Sequence, residues 1–526
     1  MPTLNWIGKD AVEHHHAEVP YRLVHCDGEL SAGDPDAGNL YVHGDNLEAL
    51  KALLPYYGGR VKCIYIDPPY NTGQEGWIYN DNVNSPEIRS WLGKVVGKEA
   101  EDLSRHDKWL CMMYPRLRLL RDFLTDDGVF FMSIDGNEIH HAKMLLDDIF
   151  GPQSHKNTIS VRRGIKSVQS QFEDIDRLSQ GHEYILFYSR KATLRLPKLT
   201  IGIDIEKPGK WDTFWRGTDR HTMRYELFGN DTPATGQWRW EKNRARKAIS
   251  NYEEYLAVHS ENMTLDEWFL DTLTSTNVKL DFVKQSDDGV PQYYVPPRGG
   301  KLSSDNWMDI LLSGSETKFE TEKNVKIIAR IVQWLTGDGD IVLDSFSGSG
   351  TTAQSVIESG RLDGKTRNFI LIEMLDSVAK EIAIPRLTEL VKGTEGEGFR
   401  YCHLGVPLFN EFGDIDTAVT FPDLAAHIFF AETGAPIPSK AKGNSPYLGK
   451  HGDKAVYLLF APGLEGTPRE AQGNVLTPDA LTALPAPPDG FEGVRVVYAE
   501  GTTVSPDRLK AEGVVFKQIP YQIEGA

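Results

Sequence analysis

Between Asn39 and Ser189, short unbroken apolar runs alternate with longer stretches at helical spacing, so strand and helix are predicted in turn. Leu40-Tyr41-Val42-His43 is the first strand. Gly44-Asp45-Asn46 then offers a helix N-cap, and Leu47, Leu50, Leu53 and Leu54 fall at helical spacing. Val61 to Ile66 is the next strand and ends directly at Asp67. Trp109, Leu110, Met113, Leu117, Leu120 and Leu124 mark a long helix, which Asp126-Asp127-Gly128 is expected to stop before a strand at Val129 to Ile134. His140 to Phe150 returns to helical spacing, and His182 to Ser189 reads as one more buried strand. Strands and helices alternating in this way imply an α/β architecture, with a parallel sheet covered on both faces.

From Arg190 to about Ser315 no period holds, and Arg, Trp, Tyr, Pro and Gly are abundant; an inserted domain is expected there. Order returns at Glu322, where Val325, Ile328, Ala329, Ile331, Val332 and Leu335 mark a helix ending at Gly337. Ile341 to Leu343 is a strand, Thr351 to about Ser359 a helix, and Asn368 to Ile372 a strand closed by Glu373. Beyond Gly405 come strand-like stretches at Ala455 to Phe460 and Val494 to Tyr498, and a Pro-rich segment around Pro485 to Pro488. The expected organisation is an N-terminal segment (1–36), one half of the α/β core (37–190), the insert (191–315), the other half (316–404) and a small terminal domain (405–526).

Length and composition narrow the class. A chain of 526 residues is too long for one simple core, and 40% hydrophobic with 25% charged residues is ordinary globular composition, which excludes collagen-like and disordered classes. No apolar run approaches the roughly 20 residues that span a bilayer, and no basic-then-apolar leader opens the chain, so a cytoplasmic protein with no membrane partner is expected. Cys26, Cys63, Cys111 and Cys402 are scattered, with no CxxC pair, and neither a disulfide framework nor a metal site is expected from them. His14-His15-His16 is assigned no role, as a run near a terminus is commonly solvated. The net charge of −18 opposes phosphate binding overall, yet between Lys156 and Lys247 there are 19 Lys and Arg against 11 Asp and Glu. On charge alone, a nucleic-acid footprint and a solvated face stay equally open there.

Asp67-Pro68-Pro69-Tyr70 follows a buried strand end, where ligand sites form in open α/β sheets. The exocyclic amine of a base is a poor nucleophile because its lone pair is delocalised into the ring. A carboxylate and a backbone carbonyl that accept its two hydrogens push the nitrogen toward tetrahedral geometry. Asp67 and the Pro68 carbonyl are candidates for those acceptors, Pro69 fixes the chain behind them, and Tyr70 offers a ring on which an extruded base stacks. The alternative is a loop that merely uses prolines to leave a strand.

The second candidate is Asp344-Ser345-Phe346-Ser347-Gly348-Ser349-Gly350-Thr351-Thr352, a glycine turn between strand and helix. Glycines let backbone approach a ligand, the helix N-terminus suits a carboxylate, and Glu373 at the next strand end can accept from ribose hydroxyls. The FxGxG spacing lacks the third glycine of a dinucleotide fingerprint and the Gly-Lys-Ser/Thr of a phosphate loop, which disfavours nucleotide phosphates.

Together these motifs resemble the amino-group DNA methyltransferases, where DPPY is catalytic and FxGxG binds S-adenosylmethionine. Their order, catalytic first, is similar to the circularly permuted beta class, whose target-recognition domain lies between the two halves. Segments 44–73, 126–151, 182–189 (HEYILFYS) and 496–523 resemble more narrowly the Mod subunits of type III restriction-modification systems. That resemblance implies a Rossmann-like doubly wound sheet and methylation of adenine N6 in double-stranded DNA by base flipping. It also implies a homodimer and a helicase-nuclease restriction partner. It sets Asp45 near the cofactor adenosine and Thr321-Glu322-Lys323 at the outer wall of the cofactor pocket, with Asp344, Phe346, Ser347, Gly348, Ser349, Gly350, Thr351 and Glu373 as the remaining cofactor residues. Asn324 stands where the family usually has proline, and Asp45 also suits a plain helix N-cap.

DPPY favours adenine, with cytosine N4 as the alternative target and an RNA or protein-amide substrate as a further one. Methylation at cytosine carbon-5 is excluded, because it needs a Pro-Cys pair and none exists here. A DNA-binding subunit with a decayed site is disfavoured by intact Asp67, Tyr70, Gly348 and Glu373. In the insert Arg216, Arg239, Lys242, Arg244, Arg246 and Lys247 are the candidate DNA contacts, while Trp211, Trp215, Trp238 and Trp240 can serve either as wedges or as the insert's own core.

Overall fold

The computed structural model describes residues 4–71, 104–164, 178, 180–201, 208–218, 220–231, 236–276, 279–297, 301–313, 322–410, 413–439, 441, 445–461, 473–487 and 490–519. Contacts divide the chain into two compact units, 198–304 and the remainder.

The larger unit is organised by a ten-stranded sheet. In chain order its strands are β1 (Arg22–Gly33), β2 (Leu40–His43), β3 (Val61–Ile66), β4 (Leu124–Ile134), β5 (His155–Arg162), β6 (His182–Ser189), β7 (Asn306–Leu311), β8 (Ile341–Asp344), β9 (Asn368–Glu373) and β10 (Gly398–Pro407). Across the sheet they run β1-β10-β2-β9-β8-β3-β4-β6-β5-β7. The six from β10 to β4 are parallel, and β1 and β6 are antiparallel to their neighbours. This is the α/β doubly wound sheet expected from the alternation. Strands covered on both faces must be apolar throughout, and in β3 Val61, Cys63, Ile64 and Ile66 are fully buried. Each such side chain contributes roughly 1.5–3 kcal/mol.

The pairing of β8 with β3 positions the site. Leu343 lies opposite Ile64, so strands far apart in sequence become parallel neighbours with their carboxyl ends on the same edge. From β8 the chain winds outward through β9, and from β3 it winds the other way through β4. Such a reversal leaves a crevice at the strand ends, where α/β sheets bind ligands.

Three features differ from the sequence reading. Asp126-Asp127-Gly128 does not separate helix from strand: the helix α2 (Arg105–Phe123) passes directly into β4, and these residues are carried inside the strand at a register irregularity between Leu124 and Val129. A bulge lets exposed polar residues ride on a strand, and Asp127 there pairs with Lys62 at 2.5 Å. The helix after the glycine turn, α5 (Thr351–Asp363), runs one turn beyond Ser359 and stops at Gly364, whose φ of 70° suits a left-handed cap. Cys26 and Cys402 are joined in a disulfide, although 376 residues separate them. Sequence spacing could not show that β1 and β10 are antiparallel neighbours with those two residues opposite each other.

The other helices used below are α1 (Asn46–Tyr57), α3 (Ile139–Phe150), α4 (Val325–Leu335) and α6 (Phe421–Thr433). Residues after Pro407 cluster with the ten-stranded sheet rather than apart from it: Tyr21 and Leu23 share an apolar core with Phe421, Leu424 and Ile428 of α6. Beyond α6 four strands form a second sheet, Tyr447–His451, Lys454–Leu458, Val494–Ala499 and Val514–Gln518.

The smaller unit has an antiparallel three-stranded sheet of Lys210–Thr213, Pro291–Val295 and Val283–Gln285, with helices at Lys242–Glu254 and Leu265–Thr276. Its aromatics build its own core. Trp238 stacks near Phe214 with centroids 5.9 Å apart, Trp240 meets Phe214 edge-on, and Trp211 packs on Tyr252 and Tyr294. Trp215 is exposed, at 37%.

Candidate active site

Asp67 leaves the carboxyl end of β3, and burial raises its carboxyl group above the usual range, an effect opposed by the Lys323 ammonium. Lys323 Nζ lies 3.2 Å from Asp67 Oδ1, donates to the Tyr70 hydroxyl at 2.6 Å and stands 4.6 Å from the centroid of the Tyr70 ring. Lys323, expected at the outer cofactor wall, lies against the Asp67 loop; Thr321 of the same segment lies outside the described residues. Trp109 Nε1 donates to the Pro69 carbonyl at 2.7 Å and pins the middle of the loop. Asn71, fully buried at φ 56°, ends it, donating to the Arg105 carbonyl and to Glu138. A non-glycine residue held left-handed needs such partners to persist.

The glycine turn begins at the carboxyl end of β8. Asp344 caps it: Phe346 N donates to Oδ1 at 3.0 Å and the Thr352 hydroxyl to Oδ2 at 2.5 Å. Gly348 and Gly350 have φ of 50° and 82°, so the turn uses a conformation that side chains resist. Gly348 N donates to Glu373 Oε2 at 3.0 Å, and Leu375 N to Oε1 at 2.8 Å. Burial pushes the Asp344 carboxyl up to about 7 and that of Glu373 up to about 8. Ser345 Oγ is buried without a hydrogen-bond partner, and Ser347, Ser349 and Thr351 are buried beside it in sequence. A buried carboxylate with no cation beside it among the described residues, glycine backbone without side chains and an unpaired hydroxyl suit a neutral polar group such as a ribose, and so fit S-adenosylmethionine.

Residues 61–384 match the family described as DNA methylase. The chain belongs to that family. This DNA methylase is 28% identical to the StyLTI Mod subunit of a type III restriction-modification enzyme from Salmonella typhimurium, over 79% of this chain and 68% of that one. To the EcoPI Mod subunit of Escherichia phage P1 it is also 28% identical, over 81% of this chain and 74% of the other. Among solved structures it is similar to the M1.HpyAVI–SAM complex, with 14% identity, 66% of this chain and 99% of that chain covered, and a TM-score of 0.30. The DNA methylase is a Mod-type DNA methyltransferase, and S-adenosylmethionine is its methyl donor.

Asp45, set near the cofactor by resemblance, is the N-cap of α1: it accepts from Leu47 N at 2.8 Å and Glu48 N at 3.1 Å, and pairs with Arg116 Nη2 at 3.0 Å. Arg116 also reaches Asn46, whose amide donates to the Ser345 carbonyl at 3.1 Å. The start of α1 is thereby tied to the glycine turn. Asn324, in the place of the family's proline, caps α4 by accepting from Lys326 N at 3.0 Å. Sequence reasoning gave no site role to Trp109, Asn71, Arg116, Glu138 and Glu183; Trp109, Arg116 and Glu183 stand among apolar neighbours, while Asn71 and Glu138 lie in the polar stretches Asn71-Thr72-Gly73 and Asp135-Gly136-Asn137-Glu138 and carry no such signal. Glu183, buried on β6, stands 3.9 Å from Lys323 Nζ and 3.3 Å from Arg163.

The candidate DNA residues divide in two. Arg239 lies over the Tyr293 ring, and Arg244 pairs with Asp281 at 2.7 Å and lies over Trp240, so both are partly engaged within the unit. Arg216, Lys242, Arg246 and Lys247 are exposed, the last three on the helix Lys242–Glu254. No helix of the described residues is long and apolar enough to cross a membrane.

The raised carboxyl groups fix a pH dependence. In the ligand-free protein Asp344 and Glu373 hold protons that the unfolded chain has lost, so stability falls as pH rises from about 4 to about 8. Ribose hydroxyls donating to Glu373, the contact expected from the sequence, would favour its ionised form. Cofactor affinity is therefore expected to rise with pH up to about 8, by up to about tenfold per pH unit, with net proton release. Calorimetry in buffers of different ionisation enthalpy measures that release, and a pH-independent affinity would show that Glu373 is not at the ribose.

Proposed function

We propose that this DNA methylase transfers a methyl group to the N6 amine of adenine extruded from double-stranded DNA, and that Asp67-Pro68-Pro69-Tyr70 performs the step. The observation carrying the proposal is that the Asp67 loop and the Asp344 turn end on adjacent parallel strands, β3 and β8. Bound S-adenosylmethionine supplies an electrophilic methyl group on its sulfonium. Asp344, Phe346, Ser347, Gly348, Ser349, Gly350, Thr351 and Glu373 hold it, with Asp45 supporting the turn through Arg116 and Asn46.

Asp67 and the Pro68 carbonyl accept the two amine hydrogens, which localises the nitrogen lone pair for attack on the methyl carbon. Trp109 already occupies the Pro69 carbonyl, so the loop cannot swing to offer that oxygen instead. Tyr70 supplies the stacking face. In the absence of DNA the Lys323 ammonium lies against both groups, and the arriving amine takes its place on Asp67. As the nitrogen gains the methyl group it gives up one proton, and Asp67 is the adjacent acceptor. Methyl transfer from labelled cofactor to DNA, RNA and protein offered separately tests the substrate class, with DNA alone labelled.

We assign target recognition to the insert, 191–315, which contains the compact unit 198–304 and divides the catalytic half, 37–190, from the cofactor half, 316–404. Removing Lys242, Arg246 and Lys247 together is expected to weaken binding of all DNA sequences alike and to reduce the salt slope by about three. Titrations at several salt concentrations measure this, and an unchanged slope would remove the helix Lys242–Glu254 from the interface. We further propose a homodimer that assembles with a helicase-nuclease restriction subunit in the cytoplasm, using the region after 404 for contacts; the relatives are subunits of type III restriction-modification enzymes. Light scattering of the full chain is expected to give twice the monomer mass, and a monomer would contradict the dimer.

A further inference from the structure

Glu138 is the N-cap residue of α3 and its side chain is fully buried. His106, in the first turn of α2, places Nδ1 2.5 Å from Glu138 Oε1, and His141, in the first turn of α3, places Nδ1 2.8 Å from Oε2. The three donor atoms lie within 4.8 Å of one another, and the two imidazoles are about one-third exposed on the solvent side. No Lys or Arg among the described residues pairs with Glu138; its other partner is the amide of Asn71. A buried carboxylate requires compensating charge, and a cation held between it and the two imidazoles supplies it.

We propose that His106, Glu138 and His141 bind one divalent metal ion of the zinc class. Two imidazoles and a carboxylate match the donor preference of zinc, cobalt and nickel rather than magnesium or calcium, and three protein donors leave a fourth position for water. Donors that share an ion at about 2.0–2.2 Å are closer together than 4.8 Å, so a small rotation of the partly exposed imidazoles completes the set. Glu138 and His141 sit three residues apart, on one face of the start of α3. An ion there joins α2 to α3 and fixes the carboxylate that holds Asn71, the left-handed residue next to Tyr70. The site thus braces the catalytic loop without touching the reacting atoms.

The test uses the full chain, stripped with chelator and titrated with Co2+ and then with Zn2+ alone. One equivalent of Co2+ is expected to give visible d–d absorption that Zn2+ displaces. His106→Ala and His141→Ala, both at partly exposed positions, should each weaken binding at least tenfold while keeping the far-ultraviolet circular dichroism. Zn2+ should raise the midpoint of thermal unfolding of the unmodified chain but not of His141→Ala. The His14-His15-His16 run is a second metal-capable segment, so a variant with all three changed to alanine must retain the site. Absence of saturable binding, binding that survives His141→Ala, or binding lost with the three N-terminal histidines would each overturn the assignment. The readout is metal binding itself, so its failure leaves the methyl-transfer reading untouched.

Discussion

Replacing Asp67 with alanine is expected to lower kcat at least about a thousandfold, about 4 kcal/mol of transition-state stabilisation, while cofactor affinity changes less than about threefold. Asp67 is assigned to the target amine, and no hydrogen bond or ion pair joins it to the turn of Gly348 among the described residues. The alanine protein also loses a partner for Lys323, but Tyr70 and Glu183 stay beside that ammonium, so the fold should persist. Asparagine at the same position keeps an oxygen that accepts one hydrogen and should fall between the two. Single-turnover transfer with saturating cofactor separates chemistry from binding. Substantial turnover by Asp67→Ala would remove Asp67 from the step.

Gly348→Val is expected to weaken S-adenosylmethionine binding at least about a hundredfold, near 2.7 kcal/mol. Two causes act together: a branched side chain resists the observed φ of 50°, and it crowds backbone that must approach the cofactor. Gly348→Asn separates them, because asparagine tolerates the left-handed region while still adding a side chain. If the asparagine protein binds cofactor normally and the valine protein does not, the turn's conformation matters and the space beside Gly348 does not. Unchanged binding in both, measured by calorimetry, would make the turn purely structural.

Much of the sheet was legible because a doubly covered strand must be continuously apolar, and β2, β3, β6, β8 and β9 each follow that rule in sequence. Boundaries were less legible where tertiary pairing overrode local signals: Asp126-Asp127-Gly128 has turn chemistry yet rides as a bulge within β4. Arg22–Gly33, read only as part of an N-terminal segment, is the edge strand β1 with much of its length exposed, and its pairing with β10, and so the Cys26–Cys402 link, depends on a closure that spacing cannot encode. Asp67, Tyr70, Gly348 and Glu373 could be singled out as candidates from the sequence because the proposed chemistry asks for particular residue types directly after strands. Trp109, Asn71 and Glu138 could not. Their roles arise from where α2 and α3 pass the loop, and a tryptophan in a helix reads equally well as core.

The central claim is methylation of the adenine amine in DNA. Its most direct test is to label duplex DNA with methyl-tritiated S-adenosylmethionine, digest it to nucleosides and separate the products by chromatography. The label is predicted to run with N6-methyldeoxyadenosine for the unmodified chain and to be absent for Asp67→Ala. Label running with N4-methyldeoxycytidine, or none in DNA at all, would contradict it.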